Sequence, residues 1–426
     1  MKSRLSAFTL ALLLALGVPL RADKFSLKGL AAPSGKLGEA LSALAEGKLD
    51  DADRKLQEVL KEYPGLAFAE LGRAQVLLDK KQIDDADRIV TGVLARDPQS
   101  PTAHNMKGVV LLLQKKSDLA RAEFARAAAL APTYVIPRIY IAAISRASQN
   151  YAQAAADYRD IIGVAPRLPF GYLGLAEAQM MQQQEPAALK TLADWKAADP
   201  KAVLPFQVTG TVYLTEGNTT AAIPELKAGL ARKPADPGLL TTLGAAYAAS
   251  GDVRSAAAQY QAALAADATA VDAVLGLAEL DVRAGKPDDA LARYRSALKI
   301  DPGNAVAAND VAWLLAERGG KMDLDEALKL VSSVVQDMPS YVDARDTLGW
   351  VYYRRADYPN AVTALQKAKA LAPDRLDIAG HLGLAYAKVG RKTEAIAELK
   401  RALAAKGDVP NRAELQRVLA DLQKSS

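Results

Sequence analysis

The sequence predicts an all-α fold in which eleven helix pairs follow one another and a single helix closes the C-terminal end. Three columns of residues carry that prediction. The first is alanine: Ala52, Ala86, Ala120, Ala154, Ala188, Ala222, Ala256, Ala290, Ala327, Ala361 and Ala395, evenly spaced except for one longer step between Ala290 and Ala327. The second precedes each alanine, as Ala40 precedes Ala52, and holds only Ala or Gly: Ala40, Ala74, Gly108, Ala142, Ala176, Gly210, Gly244, Ala278, Ala312, Gly349 and Gly383. The third follows each alanine, as Pro64 follows Ala52, and is proline at Pro64, Pro98, Pro132, Pro166, Pro200, Pro234, Pro302, Pro339 and Pro373, with Ala268 and Gly407 as its exceptions. Small residues let two helices approach to about 8 Å. Proline ends a helix or opens the next connection. Gly47, Gly217, Gly251, Gly285, Gly319 and Gly390 recur at the turn inside a pair, where a positive φ is convenient.

A 34-residue period with small residues and proline at these offsets resembles the tetratricopeptide repeat (TPR). The segment from Thr241 to Ala268 carries the resemblance best, through Leu243-Gly244, Tyr247, Ala256, Tyr260 and Ala263. Repeat three (Gly108, Ala120, Phe124, Ala127, Pro132) and repeat ten (Leu348-Gly349, Tyr352, Ala361, Ala368, Pro373) follow closely. The resemblance implies a right-handed α-solenoid, a TPR superhelix of about eleven helix-turn-helix repeats over residues 33–409. One pair cannot cover its own apolar stripe, so neighbours must stack.

Taken in order, the chain opens on Lys2 and Arg4, an apolar run from Leu5 to Val18, and Pro19-Leu20-Arg21-Ala22. This reads as a secretory signal peptide over residues 1–22, cleaved after Ala22, since about 20 apolar residues are needed to span a bilayer and this run is shorter. A retained anchor is the alternative. Residues 23–32 form a linker. Repeats one and two depart most from the pattern, as terminal repeats do when one face meets water. In repeat six, Pro224 falls inside the second helix and should kink it or delay its start. In repeat nine the three extra residues fall in Gly319-Gly320-Lys321-Met322-Asp323-Leu324 and should lengthen the turn. Residues 410–426 hold a last helix whose Leu415, Val418, Leu419 and Leu422 form one stripe, the pattern of a cap. A partner-binding amphipathic helix is the other reading of that stripe.

Composition narrows the function. The chain has 426 residues, 50% of them apolar and 24% charged, and no cysteine, which removes disulfides, thiolate metal sites, a thiol nucleophile and a lipid-modified N-terminal Cys. Of 54 basic residues, Lys2, Arg4 and Arg21 leave with the signal peptide; 51 then face 49 acidic ones, a net charge of +2 that offers no footprint for nucleic acid. The repeats take up the mature chain and leave no room for a catalytic domain. The two histidines, His104 and His381, stand in no HExxH helix, and Gly35-Lys36 and Gly320-Lys321 lack the rest of a phosphate loop. Asp50-Asp51-Ala52-Asp53 and Asp323-Leu324-Asp325-Glu326 sit where the helix dipole favours acids and lack the glycine of a calcium loop. No enzyme, cofactor or metal site is expected.

What remains is surface. The resemblance implies that first helices line a concave face through positions two, five, six, nine, twelve and thirteen of each repeat. Two groups stand out there. Ile136, Ile139, Tyr140, Phe170, Leu173, Met180, Met181, Leu204, Val208 and Leu214 are unusually apolar for a face in water, and such patches mark partner sites. Burial by a neighbouring repeat explains the same residues equally well. Asn309, Asp310, Trp313, Asp343, Asp346, Trp350, Tyr353, Arg354 and His381 form a second group, in which Trp313 and Trp350 share one slot in consecutive repeats and should stack. They suit a peptide or a glycan, or else pack between first helices. Paired lysines for a carboxylate clamp are lacking.

The expected protein is a periplasmic or secreted scaffold that binds protein or peptide partners and has no transmembrane segment once the signal is cleaved. The runs Asn309–Glu317 and Thr347–Tyr353 are similar to exported bacterial TPR proteins. This resemblance implies an alternative, an accessory component of exopolysaccharide synthesis or export, or of surface-protein sorting, touching glycan through Trp313 and Trp350.

Overall fold

The computed structural model describes residues 35–404 and 411–424. The expected signal peptide and linker lie outside the described residues, as does the junction before the last helix. The described residues form twenty-three α-helices and no strand. They fall into two compact units, divided between Glu225 and Leu226.

The first unit pairs α1 (Lys36–Ala45) with α2 (Leu49–Glu62), α3 (Ala67–Asp79) with α4 (Ile83–Arg96), and α5 (Pro101–Leu113) with α6 (Ser117–Leu130). It continues with α7 (Val135–Ala147) and α8 (Tyr151–Val164), α9 (Pro169–Met181) and α10 (Glu185–Ala198), and then α11 (Leu204–Thr215). The boundary between units falls inside α12 (Thr219–Leu230), between Glu225 and Leu226 and one residue past Pro224. The second unit pairs α13 (Pro237–Ser250) with α14 (Val253–Ala266), α15 (Val271–Arg283) with α16 (Pro287–Ile300), and α17 (Ala305–Arg318) with α18 (Lys321–Asp337). It ends with α19 (Val342–Arg354) and α20 (Tyr358–Leu371), α21 (Leu376–Lys388) and α22 (Lys392–Leu403), and the lone α23 (Arg412–Lys424).

The two small-residue columns are the seams of the stack. All eleven alanines of the first column are 0% exposed, and every member of the second is buried. One helical turn after each alanine stands a larger side chain: Leu56, Val90, Phe124, Tyr158, Leu192, Leu226, Tyr260, Tyr294, Val331, Leu365 and Leu399, none more than 5% exposed. A Cβ on Gly108 would sit 2.6 Å from the Phe124 ring, and one on Gly349 would sit 2.4 Å from Leu365 Cγ. Two helices close over a large side chain only because the partner position carries none.

Inside each pair the chain reverses on one left-handed residue. Glycine fills that position six times, at φ from 69° to 86°. Lys81, Lys115, Gln149, Gln183 and Ala356 fill it in the other five repeats, at φ from 57° to 62°. Between pairs, the residue before the proline column leaves the helical region, as at Tyr63 (φ −131°) and Asp97 (φ −132°); a proline ring favours this, and Asp267 does the same before Ala268 (φ −145°). Side-chain caps start several first helices: Ser100 accepts from Ala103 N–H at 3.3 Å, Asp236 from Leu239 N–H at 3.0 Å, and Asn304 from Ala307 N–H at 2.9 Å.

Two local expectations need correction. The extra residues of repeat nine lengthen the helix, not the turn: α18 has 17 residues where most second helices have 14, and only Gly319 and Gly320 separate it from α17. Gly319 caps α17 in the left-handed region, and Arg318 reaches forward to Asp323 at 2.6 Å, so the added turn is held at its start. Pro224 does not delay α12, which starts at Thr219, one full repeat period after Glu185 opens α10. The last helix is a cap: Leu415 is 1% exposed, Val418, Leu419 and Leu422 join the core cluster that holds Leu399 and Ala402, and the helix packs on α21 and α22. At the other end α2 presents charge to water, with Arg54 bridging Asp51 and Glu58.

Candidate functional site

In the first unit the apolar group divides by depth. Leu173 is buried at 4% and belongs to the core with Tyr172, Leu192 and Trp195, so it presents no surface. This corrects its reading as a partner contact, because the Cα–Cβ direction at that point of α9 faces α10 and α11. Ile139 and Phe170 flank one core cluster, and Phe170 meets the Tyr158 ring edge-on at 5.6 Å. Tyr140 stacks on Phe124 at 4.7 Å and is half-buried, and burial pushes its hydroxyl pKa up. Met180, Leu204 and Val208 border the next cluster toward α11. Ile136 and Leu214 are half-exposed, and Met181 is 53% exposed. Apart from Leu173, these residues therefore form a half-exposed apolar strip along α7, α9 and α11.

One ion pair interrupts that strip. Arg146 Nη1 donates to Glu177 Oε2 at 3.3 Å, joining α7 to α9. The Glu177 side chain is 14% exposed, and burial raises its pKa although Arg146 pulls it the other way. The sequence reading collected apolar residues only and passed over this pair. The signal was available: Arg146 and Glu177 occupy first-helix positions twelve and nine of consecutive repeats.

In the second unit the polar-aromatic group is brought together, but largely as core. Trp313 and Trp350 stack at 6.1 Å, and the His381 ring lies 4.6 Å from Trp350 and 5.6 Å from Trp313. Tyr353 also stacks on Trp350, at 5.0 Å. Trp350 is 2% exposed and donates from Nε1 to Glu317 at 2.6 Å. His381 is also 2% exposed, and its Nδ1 meets both Asp346 oxygens at 2.9 and 3.1 Å. Burial alone would lower the imidazole pKa; Asp346, with Asp377 and Glu317 farther off, outweighs it and raises the pKa. Asn309 is buried too, its Nδ2 donating to Asp310 at 3.1 Å. Asp343 is tied to Arg375 at 2.8 Å, and Arg354 donates to the Glu317 carbonyl at 3.1 Å.

Asn309, Asp346, Trp350 and His381 are thus corrected from groove contacts to interior residues. Packing between adjacent first helices buries their rings, while Asn309 Oδ1 and His381 Nε2 are buried without a hydrogen-bond partner among the described residues. Glycan contact through Trp350 loses its geometric basis.

Models of the tetratricopeptide repeat match residues 43–110 and 248–309 in one form and 208–271 and 347–410 in another, together more than half of the chain. No curated protein matches the chain. Among solved structures, the APC/C hetero-tetramer Cut9–Hcn1 is similar at 13% identity and TM-score 0.52, over 90% of this chain and 95% of that one. Yeast Tom70 is similar at 12% identity and TM-score 0.45, over 92% of this chain and 94% of that one. A tetratricopeptide repeat protein from Parabacteroides merdae shares 14% identity with TM-score 0.43, over 59% of this chain and 97% of that one. At 13% identity the likeness to Cut9–Hcn1 concerns the fold alone.

Proposed function

The chain belongs to the tetratricopeptide repeat family, and from that premise we propose that it is a non-enzymatic scaffold, exported to a periplasm, that binds protein partners along the first helices of its first unit. A repeat array of this family is suited to protein–protein interaction, since its surface grows with every repeat. The observation that carries the reading is the apolar strip of α7, α9 and α11, where Ile136, Phe170, Met180, Met181, Leu204, Val208 and Leu214 remain partly in water. Soluble proteins seldom leave such a strip uncovered without a use for it. The apolar run Leu5–Val18 followed by Ala22 supports export.

Ile136, Met181 and Leu214 belong to the strip yet lie outside the core clusters, so they can be changed without opening the interior. The triple variant Ile136→Asp, Met181→Asp, Leu214→Asp should keep the helical circular dichroism of the parent and lose the proteins that co-purify with it after crosslinking in native cells. Unchanged co-purification would overturn the reading. Fractionation of those cells, with the protein found in the cytoplasm, would overturn export separately.

A further inference from the structure

We propose that the α7–α9–α11 face takes an amphipathic helix of a partner protein carrying one lysine or arginine inside its apolar stripe, set against Glu177. This rests on the protein-binding reading of the same face and adds the chemistry of its occupant.

Backbone comes first. Every neighbour on this face is a helix whose own amides and carbonyls are engaged, so an extended peptide would find no strand edge to pair with. An extended segment pressed onto the apolar strip would bury unpaired backbone groups. A helix arrives with its backbone hydrogen bonds already made and needs only side-chain contacts. Three adjacent first helices, at about 8–10 Å between axes, span roughly 20 Å. A partner helix of about 13 residues covers that distance at about 1.5 Å per residue.

Charge then selects the partner. Of the eighteen inward first-helix positions of repeats four to six, only Arg146 and Glu177 carry charge. The contact between them is single: Arg146 reaches Oε2, and Oε1 of Glu177 accepts no hydrogen bond from the described residues. Arg146 is itself 32% exposed and keeps part of its hydration. A purely apolar helix laid over this pair would strip water from Oε1 and put nothing in its place, which is strongly unfavourable for a carboxylate. A cationic side chain from the partner supplies the missing donor and fixes the register along the strip. An acidic one would meet like charge.

The test uses three synthetic peptides, each of about 18 residues with one leucine stripe and Lys, Gln or Glu at its central position, read by fluorescence anisotropy against the whole protein. The Lys peptide should bind about tenfold tighter than the Gln peptide at low salt, and the Glu peptide weakest. In Glu177→Gln the Lys advantage should vanish while the Gln peptide binds as before; in Arg146→Gln the advantage should grow. Equal binding of all three peptides, abolished by the Ile136, Met181 and Leu214 triple variant, would overturn the charge selection and leave the protein-binding reading standing. No binding by any peptide would overturn both. A dimer in sedimentation of the protein alone that the triple variant dissociates, or uptake by neutral phosphatidylcholine vesicles, would assign the face to a second copy or to lipid and overturn the proposed occupant.

Discussion

The ring of Tyr260 lies between two glycines, and this makes a sharp test of how the stack is built. A Cβ on Gly244, in its own repeat, would sit 2.7 Å from the ring, and one on Gly276, in the next repeat, 2.3 Å from Cζ. Tyr260 is 5% exposed and faces a glycine on either side, so its ring has little room to retreat. Gly276→Ala therefore overpacks the seam between repeats seven and eight, an effect of about 1–3 kcal/mol. Gly276 is mid-helix in α15, where alanine is intrinsically better than glycine by about 1 kcal/mol. The net destabilisation should be on the order of 1 kcal/mol, a fall of about 2–4 °C for a unit of this size. With Tyr260→Leu the obstacle is gone and only the helix preference remains. In that background Gly276→Ala should stabilise, reversing its sign. Thermal and urea unfolding of the four proteins of this double-mutant cycle measures it. The same sign and size in both backgrounds would refute the claim that a glycine and an aromatic ring form the seam.

Further expectations concern the turns, the termini and the buried histidine. Ala356 holds φ 62°, a conformation unfavourable by about 1 kcal/mol for a residue with a Cβ, so Ala356→Gly should be neutral to stabilising by up to that amount and Gly251→Ala (φ 86°) destabilising by a similar amount in urea unfolding. Leu415→Ala should destabilise by about 2–3 kcal/mol, with amide exchange rising in α21 and α22 and not in the first unit. His381 has a folded pKa above its ordinary value of about 6.5, so its pairing with Asp346 stabilises fully below that value and is lost as pH rises through the folded pKa. Melting of the second unit should then fall with rising pH above neutrality, and Asp346→Asn should flatten that slope. Under the proposed export, the mature protein should begin at Asp23 on N-terminal sequencing, and an intact Met1 would count against it.

Much of the fold was legible because its restraints are local and recur. Alanine at Ala52 and its ten counterparts states how closely two helices must approach, and the structure gives each of them zero exposure. Glycine at Gly251 states a left-handed turn. The same turn at Lys81 or Ala356 has no such signature, since there the packing of the two helices imposes the angle and the residue tolerates it. The lengthened α18 was misread because a Gly-Gly pair suggested a longer loop, whereas Lys321, Met322 and Asp323 are compatible with helix and continue it. The candidate sites were harder. A first-helix position does not say whether its side chain meets water or the next repeat. Trp350 and His381 share the position class of residues such as Phe170 and Ile136, yet the bulk of Trp313 beside them closes the space. The ion pair of Arg146 and Glu177 is 31 residues apart in sequence and emerges only once consecutive first helices are laid side by side.

Amide hydrogen exchange of the full-length protein, alone and with a partner recovered by crosslinking, tests the central claim most directly. The account predicts protection concentrated on α7, α9 and α11 around Ile136, Phe170, Met181 and Leu214, with α8 and α10 and the whole second unit unchanged. Protection confined to second helices, or to the second unit, would contradict it.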